Sequence, residues 1–200
     1  MTIAGPLVLA TRNAHKVREV RRLLAPFEID VEPLPEGVEL PPETGDTFAS
    51  NALPKARTAA AALGRAAIAD DSGIEADALG GAPGVRSARY AGEGATDADN
   101  LDKLLREAPA GSGLRYVCAL AYVEPGPAGE ERIFFGECRG RLAGRPRGER
   151  GFGYDPAFIP DEGEPGVRTM AELSDDEKDA INHRGRAVRE LARWLQSGGG

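Results

Sequence analysis

Apolar residues recur along the chain in two rhythms, one strand-like and one helical, and the alternation between them predicts an α/β protein. Residues 6–10 form a short apolar run, as a buried strand does. Val17, Val20, Leu23 and Leu24 then recur at helical spacing behind Asn13, a residue suited to cap a helix. A second strand is predicted over 28–32. The Pro-rich segment 34–42 reads as an ordered surface loop closed by Glu43, Thr44 and Gly45. Residues 47–63 carry Phe48, Ala52, Ala56, Ala59 and Ala60 near helical spacing, with Pro54 predicting an early kink. A short strand over 66–69 is expected to end in a polar turn, Asp70-Asp71-Ser72-Gly73, at the strand's carboxyl end, where open α/β sheets place their active sites.

Further on, residues 80–84 are a Gly/Pro turn cluster, and 96–107 reads as a helix carrying Leu101, Leu104 and Leu105. Residues 114–123 and 132–142 are rich in Val, Ile, Phe and Tyr, and the segment 124–129 between them is a plausible hairpin loop, so an antiparallel pair is predicted. Phe158 and Ile159 suggest one more strand. Ser174 with Glu177 has the spacing of a capping box, and a C-terminal helix follows through Ile181, Val188, Leu191 and Leu195 to a frayed tail at 198–200. No internal repeat is present.

Composition narrows the function classes. The chain has 200 residues, 41% hydrophobic and 28% charged, enough for one substantial core, with no composition break to mark a second. Its net charge of -7, from 25 basic and 32 acidic residues, disfavours nucleic acid and anionic membranes as partners. No apolar stretch approaches the roughly 18 residues of a membrane span, and no signal-type segment opens the chain, which predicts a cytoplasmic protein. Cys118 and Cys138 lack a CxxC spacing and read as reduced structural thiols. His15 and His183, far apart with no cysteine near, argue against zinc, so metal chemistry is expected to use carboxylates.

Four clusters could carry chemistry. Thr11, Arg12, Asn13, Ala14, His15 and Lys16 lie between a strand and a helix start, where free N–H groups favour an anion, though the same residues suit a capped helix with a solvated basic face. Asp70 and Asp71, with Glu43 as a third acid, suit Mg²⁺ and a carboxylate that activates water, or simply an acidic turn. In Gly151-Phe152-Gly153-Tyr154-Asp155-Pro156 the glycines let a ligand approach and Phe152 offers a stacking face, or the segment is a packed turn. Lys178, His183 and Arg184 form a donor group or a solvated face. Lys178 and His183 stand roughly 140° apart around an ideal helix, which predicts an irregularity near Asn182 if they serve one site.

In this order the clusters resemble the inosine triphosphate pyrophosphatase family, the non-canonical purine NTP pyrophosphatases. The resemblance runs from Leu9-Ala10-Thr11-Arg12-Asn13 and Lys16 through Glu43-Thr44-Gly45, Asn51-Ala52, Lys55 and Ala69 to Gly73. It continues through Gly80 to Gly84, Ser87-Ala88-Arg89-Tyr90, the Gly151 to Pro156 motif, and Lys178 with Asn182-His183-Arg184-Gly185. It implies one domain over 1–200 with a mixed, twisted central sheet and flanking helices, forming two lobes around an active-site cleft. It further implies a homodimer and Mg²⁺-dependent hydrolysis of ITP/dITP and XTP/dXTP to the monophosphate and pyrophosphate.

Carried over residue by residue, the resemblance makes residues 11–16 with Lys55 the phosphate site and Asp71 the catalytic carboxylate and metal ligand, with Asp70 in support. Glu43 becomes a second metal-side acid. Ser72, Phe152, Gly153, Tyr154, Asp155, Lys178, His183 and Arg184 become substrate contacts, with Arg184 donating to a 6-oxo group that adenine lacks. Asn182 stands where the family pattern has Ser, and Arg12 where it often has Gly. Two rival readings are a pyrophosphatase of the same fold preferring modified pyrimidines and a nucleotide sensor without hydrolysis.

Overall fold

The computed structural model describes residues 5–163 and 167–198. Strand β1 (Leu7–Leu9) leads into helix α1 (Ala14–Leu24), and Asn13 caps the helix by accepting the His15 and Lys16 N–H groups at 2.9 and 3.2 Å. The second strand begins later than its apolar residues suggest. A 3₁₀ turn at Ala25–Phe27 ends on Glu28 in the left-handed conformation, φ 56°, which interrupts extended backbone and delays β2 to Val31–Pro33. β2 pairs in parallel with β1 and lies at a sheet edge, where Pro33, with no N–H to donate, is tolerated.

Helix α2 (Phe48–Leu63) starts at a capping box between Thr47 and Ser50, runs through Pro54, and stops at Gly64, whose φ of 61° favours glycine. The next element departs from expectation. Asp70, Asp71, Ser72 and Gly73 do not turn; β3 runs unbroken through them from Ala67 to Ala76. Polar residues and a glycine carry a turn signature locally, but β3 sits between β1 and the later strand β4 (Gly113–Val123), and sheet pairing overrides that signature.

Between β3 and β4 come 3₁₀ turns at Asp77–Leu79 and Gly84–Arg89 and helix α3 (Asp97–Glu107), capped by Thr96. β4 is followed by β5 (Glu131–Leu142), and the intervening loop is closed by Glu124 N–H donating to the Glu130 carbonyl. β6 (Phe158–Pro160) pairs antiparallel with β5. The six-stranded sheet has the order β2-β1-β3-β4-β5-β6 and is mixed, as predicted. Helix α4 (Asp175–Ile181), capped by Ser174 and Glu177, ends at Asn182, whose extended backbone separates it from α5 (His183–Gln196). The irregularity read from spacing is therefore present. Of the tail, Ser197 and Gly198 form a turn, and residues 199–200 lie outside the described residues.

The chain divides into two compact units, each with a core of its own. One unit comprises residues 1–71, 118–136 and 184–200, and its core gathers Leu7, Leu9, Val20, Ile68, Leu120, Val188 and Leu191. The other comprises 72–117 and 137–183 and is built around Ile74, Leu104, Tyr116, Leu142, Phe158 and Met170. Among the described residues no helix is long and apolar enough to cross a membrane.

Candidate active site

In the first unit, α2 and the end of the Pro-rich loop bring two acids and a lysine together. Lys55 donates from Nζ to Glu43 Oε1 at 2.6 Å and to the Asp70 carbonyl at 3.0 Å, and lies 3.8 Å from Asp71 Oδ1. Asn51, one turn earlier on the same helix face, donates from Nδ2 to Asp71 Oδ2 at 3.0 Å. Asp71 is buried, and that burial, reinforced by Glu43, pushes its carboxyl up to about 6 against the opposing pull of Lys55, Lys16 and Asn51.

Next to it, Asp70 is the hub of a buried charge network. Its carboxylate contacts Lys16 Nζ, accepts from Arg184 Nε at 3.0 Å and from the Cys118 thiol at 3.2 Å. Arg184 Nη1 in turn donates to Glu19 at 2.6 Å. Arg184 is only 2% exposed; burial opposes its charge, but Asp70 and Glu19 more than offset that and hold its pKa above the ordinary value. Lys16 and Glu19 are three residues apart on α1, so one helix face supplies both a cation to Asp70 and an anion to Arg184.

The second unit assembles the aromatic cluster. Asp155 is buried and accepts from Lys178 Nζ at 2.7 Å, from the Phe152 N–H at 3.0 Å and from the Tyr116 hydroxyl at 3.1 Å. Burial first, and Asp155 next, push the Tyr116 phenol well above its usual value, which keeps it a hydrogen-bond donor. Tyr116 stacks on His183 with ring centroids 4.6 Å apart and planes 7° from parallel, and Lys178 Nζ lies 5.1 Å from the Phe152 ring centroid. Gly151, at φ 74°, has no room for a Cβ, which would come 2.1 Å from Asp155 Oδ2. Asp155 thus shapes the loop that presents Phe152.

The predicted residues sort as follows. Glu43, Lys55 and Asp71 converge, and Lys16 rests on Asp70 next to them in sequence. Phe152, Asp155, Lys178 and His183 belong to one cluster, with Ser72 half-buried on β3. Tyr154 points into packing, its hydroxyl donating to the Ser87 carbonyl at 2.8 Å. Arg12 does not point freely to solvent. Its guanidinium donates to the carbonyls of Leu34, Pro35 and Val38 at 3.0–3.1 Å, stapling the Pro-rich loop. Thr11 Oγ1 accepts from the Asn13 N–H, and His15 Nδ1 faces Arg18, both in exposed settings. Arg184 belongs to the first unit, where it pairs with Asp70 and Glu19.

Sequence reading missed Glu19 and assigned no role to Asn51 or to the Cys118 thiol. Spacing alone hinted at the first two: Glu19 follows Lys16 by three residues and Asn51 precedes Lys55 by four, so each shares a helix face with a predicted cation. As for metal, among the described residues no three His, Cys, Asp or Glu side chains converge into a cage. Two carboxylates facing one ammonium, with Asp71 carrying an unfavourable buried charge, suit a hard divalent cation that completes its oxygen shell from water and phosphate.

Comparison with known proteins adds relatives to this geometry. A model of the Ham1 family matches residues 7–194. A dITP/XTP pyrophosphatase of Frankia alni is 50% identical, with 95% of this chain and 96% of the relative covered. One of Yersinia pseudotuberculosis is 48% identical, covering 95% and 98%. Among solved structures, a HAM1 protein from Coxiella burnetii superposes with a TM-score of 0.85 at 41% identity, covering 96% of this chain and 98% of that one. A nucleoside-triphosphatase, dITP/XTP pyrophosphatase, from Mycobacterium abscessus gives 0.70 at 42% identity, covering 94% and 97%.

Proposed function

The chain belongs to the Ham1 family, and from that premise we propose that it hydrolyses non-canonical purine nucleoside triphosphates, ITP/dITP and XTP/dXTP, to the monophosphate and pyrophosphate. The observation that carries the chemistry is the convergence of buried Asp71 and Lys55 with the half-buried Glu43. Asp71 and Glu43, together with the substrate's phosphates, would hold Mg²⁺, which when bound would neutralise charge on the triphosphate. Asp71 accepts the proton of the attacking water as its oxygen bonds to the α-phosphorus. The bond from that phosphorus to the bridging oxygen breaks, and its electron pair leaves with pyrophosphate. Lys16 and Lys55 are the cations this reading assigns to the departing anion, and each such charge at about 4 Å is worth roughly 4 kcal/mol at an effective dielectric near 20.

In this proposal the α1 N-terminus takes phosphate through the loop at residues 11–16, while Arg12 acts indirectly by holding the loop at 34–38. Phe152 stacks on the purine, and Lys178 and His183 supply donors. Asp155 acts by fixing Lys178 and the Phe152 backbone rather than by touching the base. Arg184, held by Asp70 and Glu19, is the candidate that discriminates a 6-oxo from a 6-amino group. A cytoplasmic homodimer belongs to the same reading.

Turnover of ITP, XTP, dUTP, TTP, GTP and ATP, with products identified, tests it. Preference for ITP and XTP with pyrophosphate released is expected. Preference for a pyrimidine triphosphate, or release of orthophosphate, overturns it, and binding without turnover would favour a sensor.

A further inference from the structure

Asn51 is an unusual residue to find buried near the start of a helix. Asn is a weaker helix former than Ala, and an amide taken out of water costs stability unless it is hydrogen-bonded. Asn51 is 3% exposed on α2 and its side chain is well used. Oδ1 accepts the Gly45 N–H at 2.7 Å, while Nδ2 donates to Asp71 Oδ2 at 3.0 Å and, more weakly, to the Gly45 carbonyl at 3.4 Å. Chemistry sets the orientation of the amide: the Gly45 N–H demands an acceptor, so the NH₂ group is left for the carboxylate and the carbonyl. Gly45 is matched to this contact. A Cβ there would come 2.1 Å from Ser50 Oγ and 2.9 Å from Asn51 Oδ1, so only glycine lets the loop approach.

One amide therefore joins the main chain two residues after Glu43 to the side chain of Asp71. Lys55, a turn further along α2, faces the other Asp71 oxygen and the Glu43 carboxylate. The two helix residues divide the work. Lys55 balances charge, and an arriving cation competes with it electrostatically. Asn51 is neutral, so it orients Asp71 through Oδ2 without competing for the negative charge on Oδ1 and Glu43.

We infer that Asn51 is a positioning residue that sets the separation and orientation of Asp71 and Glu43 for a divalent cation. The inference rests on the proposed metal role of those two acids and deepens it. Its consequence is that metal affinity, rather than affinity for the nucleotide itself, depends on Asn51.

The test measures Mn²⁺ binding by electron paramagnetic resonance in the presence of α,β-methylene-ITP, alongside nucleotide affinity without metal and thermal melting. The full chain is compared with N51A and D71N. Loss of a group that orients a metal ligand lowers metal affinity about 10- to 100-fold. N51A is expected to show such a loss, with metal-free nucleotide affinity unchanged and the Mg²⁺ requirement for turnover raised in step. Wild-type Mn²⁺ affinity in folded N51A, with D71N impaired, overturns the role of Asn51 alone. Wild-type Mn²⁺ affinity in D71N overturns the metal reading and the inference with it. Should N51A not fold, the Asn51 side-chain NH₂ resonances of the wild-type protein are followed as Mg²⁺ is added to the analogue complex. A shift is expected, and none overturns the inference.

Discussion

Asp71 shows how a buried carboxylate is costly to its own fold. Its pKa is about 6 in the folded chain, against an ordinary 3.8 taken for the unfolded one. Between those values the native state binds more protons than the unfolded state, so stability falls as pH rises through that window, and the cost is complete above about pH 6. A shift of about two units corresponds to roughly 3 kcal/mol. Asp71→Asn is therefore expected to stabilise the metal-free protein by up to about 3 kcal/mol near neutral pH, with the gain fading as pH falls through about 6 and gone below about pH 4, while turnover is abolished. Urea unfolding at both pH values, beside an ITP assay, checks this; equal stabilities at neutral pH would contradict the burial account. Asp71 was legible because two adjacent acids after an apolar run are uncommon. The job of Arg12 was not, because its three carbonyl partners lie more than twenty residues away in sequence.

At the scale of elements, the buried charges tie α1, β3 and α5 to one another. Lys16 and Glu19 come from α1, Asp70 from β3 and Arg184 from α5, and the four formal charges cancel. Removing one partner from a buried pair leaves the other charge uncompensated and typically costs 3–5 kcal/mol. Glu19→Ala is expected to lose about 3 kcal/mol in denaturant unfolding. A melting curve matching the wild type would mean that Arg184 is held without it. Element-level reading from sequence succeeded where the signal was local. Asn13 and Ser174 cap helices as read from the sequence, and a break is present at Asn182, where the angle between Lys178 and His183 pointed. It failed at Asp70 to Gly73, where turn-forming residues are held extended between neighbouring strands. Glu19 escaped notice because a lone acid beside Arg18 reads as solvated until α5 delivers Arg184.

For the whole molecule, the two cores explain why composition showed no boundary. Each unit is assembled from separated stretches of chain, so no single point in the sequence marks a change of character. A homodimer is expected to sediment at twice the chain mass of 21.1 kDa, and a species at the single-chain mass throughout a dilution series would remove the dimer from the proposal. By itself the sequence determined what short-range physics controls: the alternation of strands and helices, the helix caps, and the residue types that can handle phosphate, a hard cation and a purine. Only the tertiary structure decided which charges meet. Asp70 finds Arg184 from 114 positions away, and Asp155 finds Tyr116 and Lys178 from opposite sides in sequence. Buried charges must be paired, but a partner is chosen by the path of the backbone, and that path is set by all the apolar contacts together.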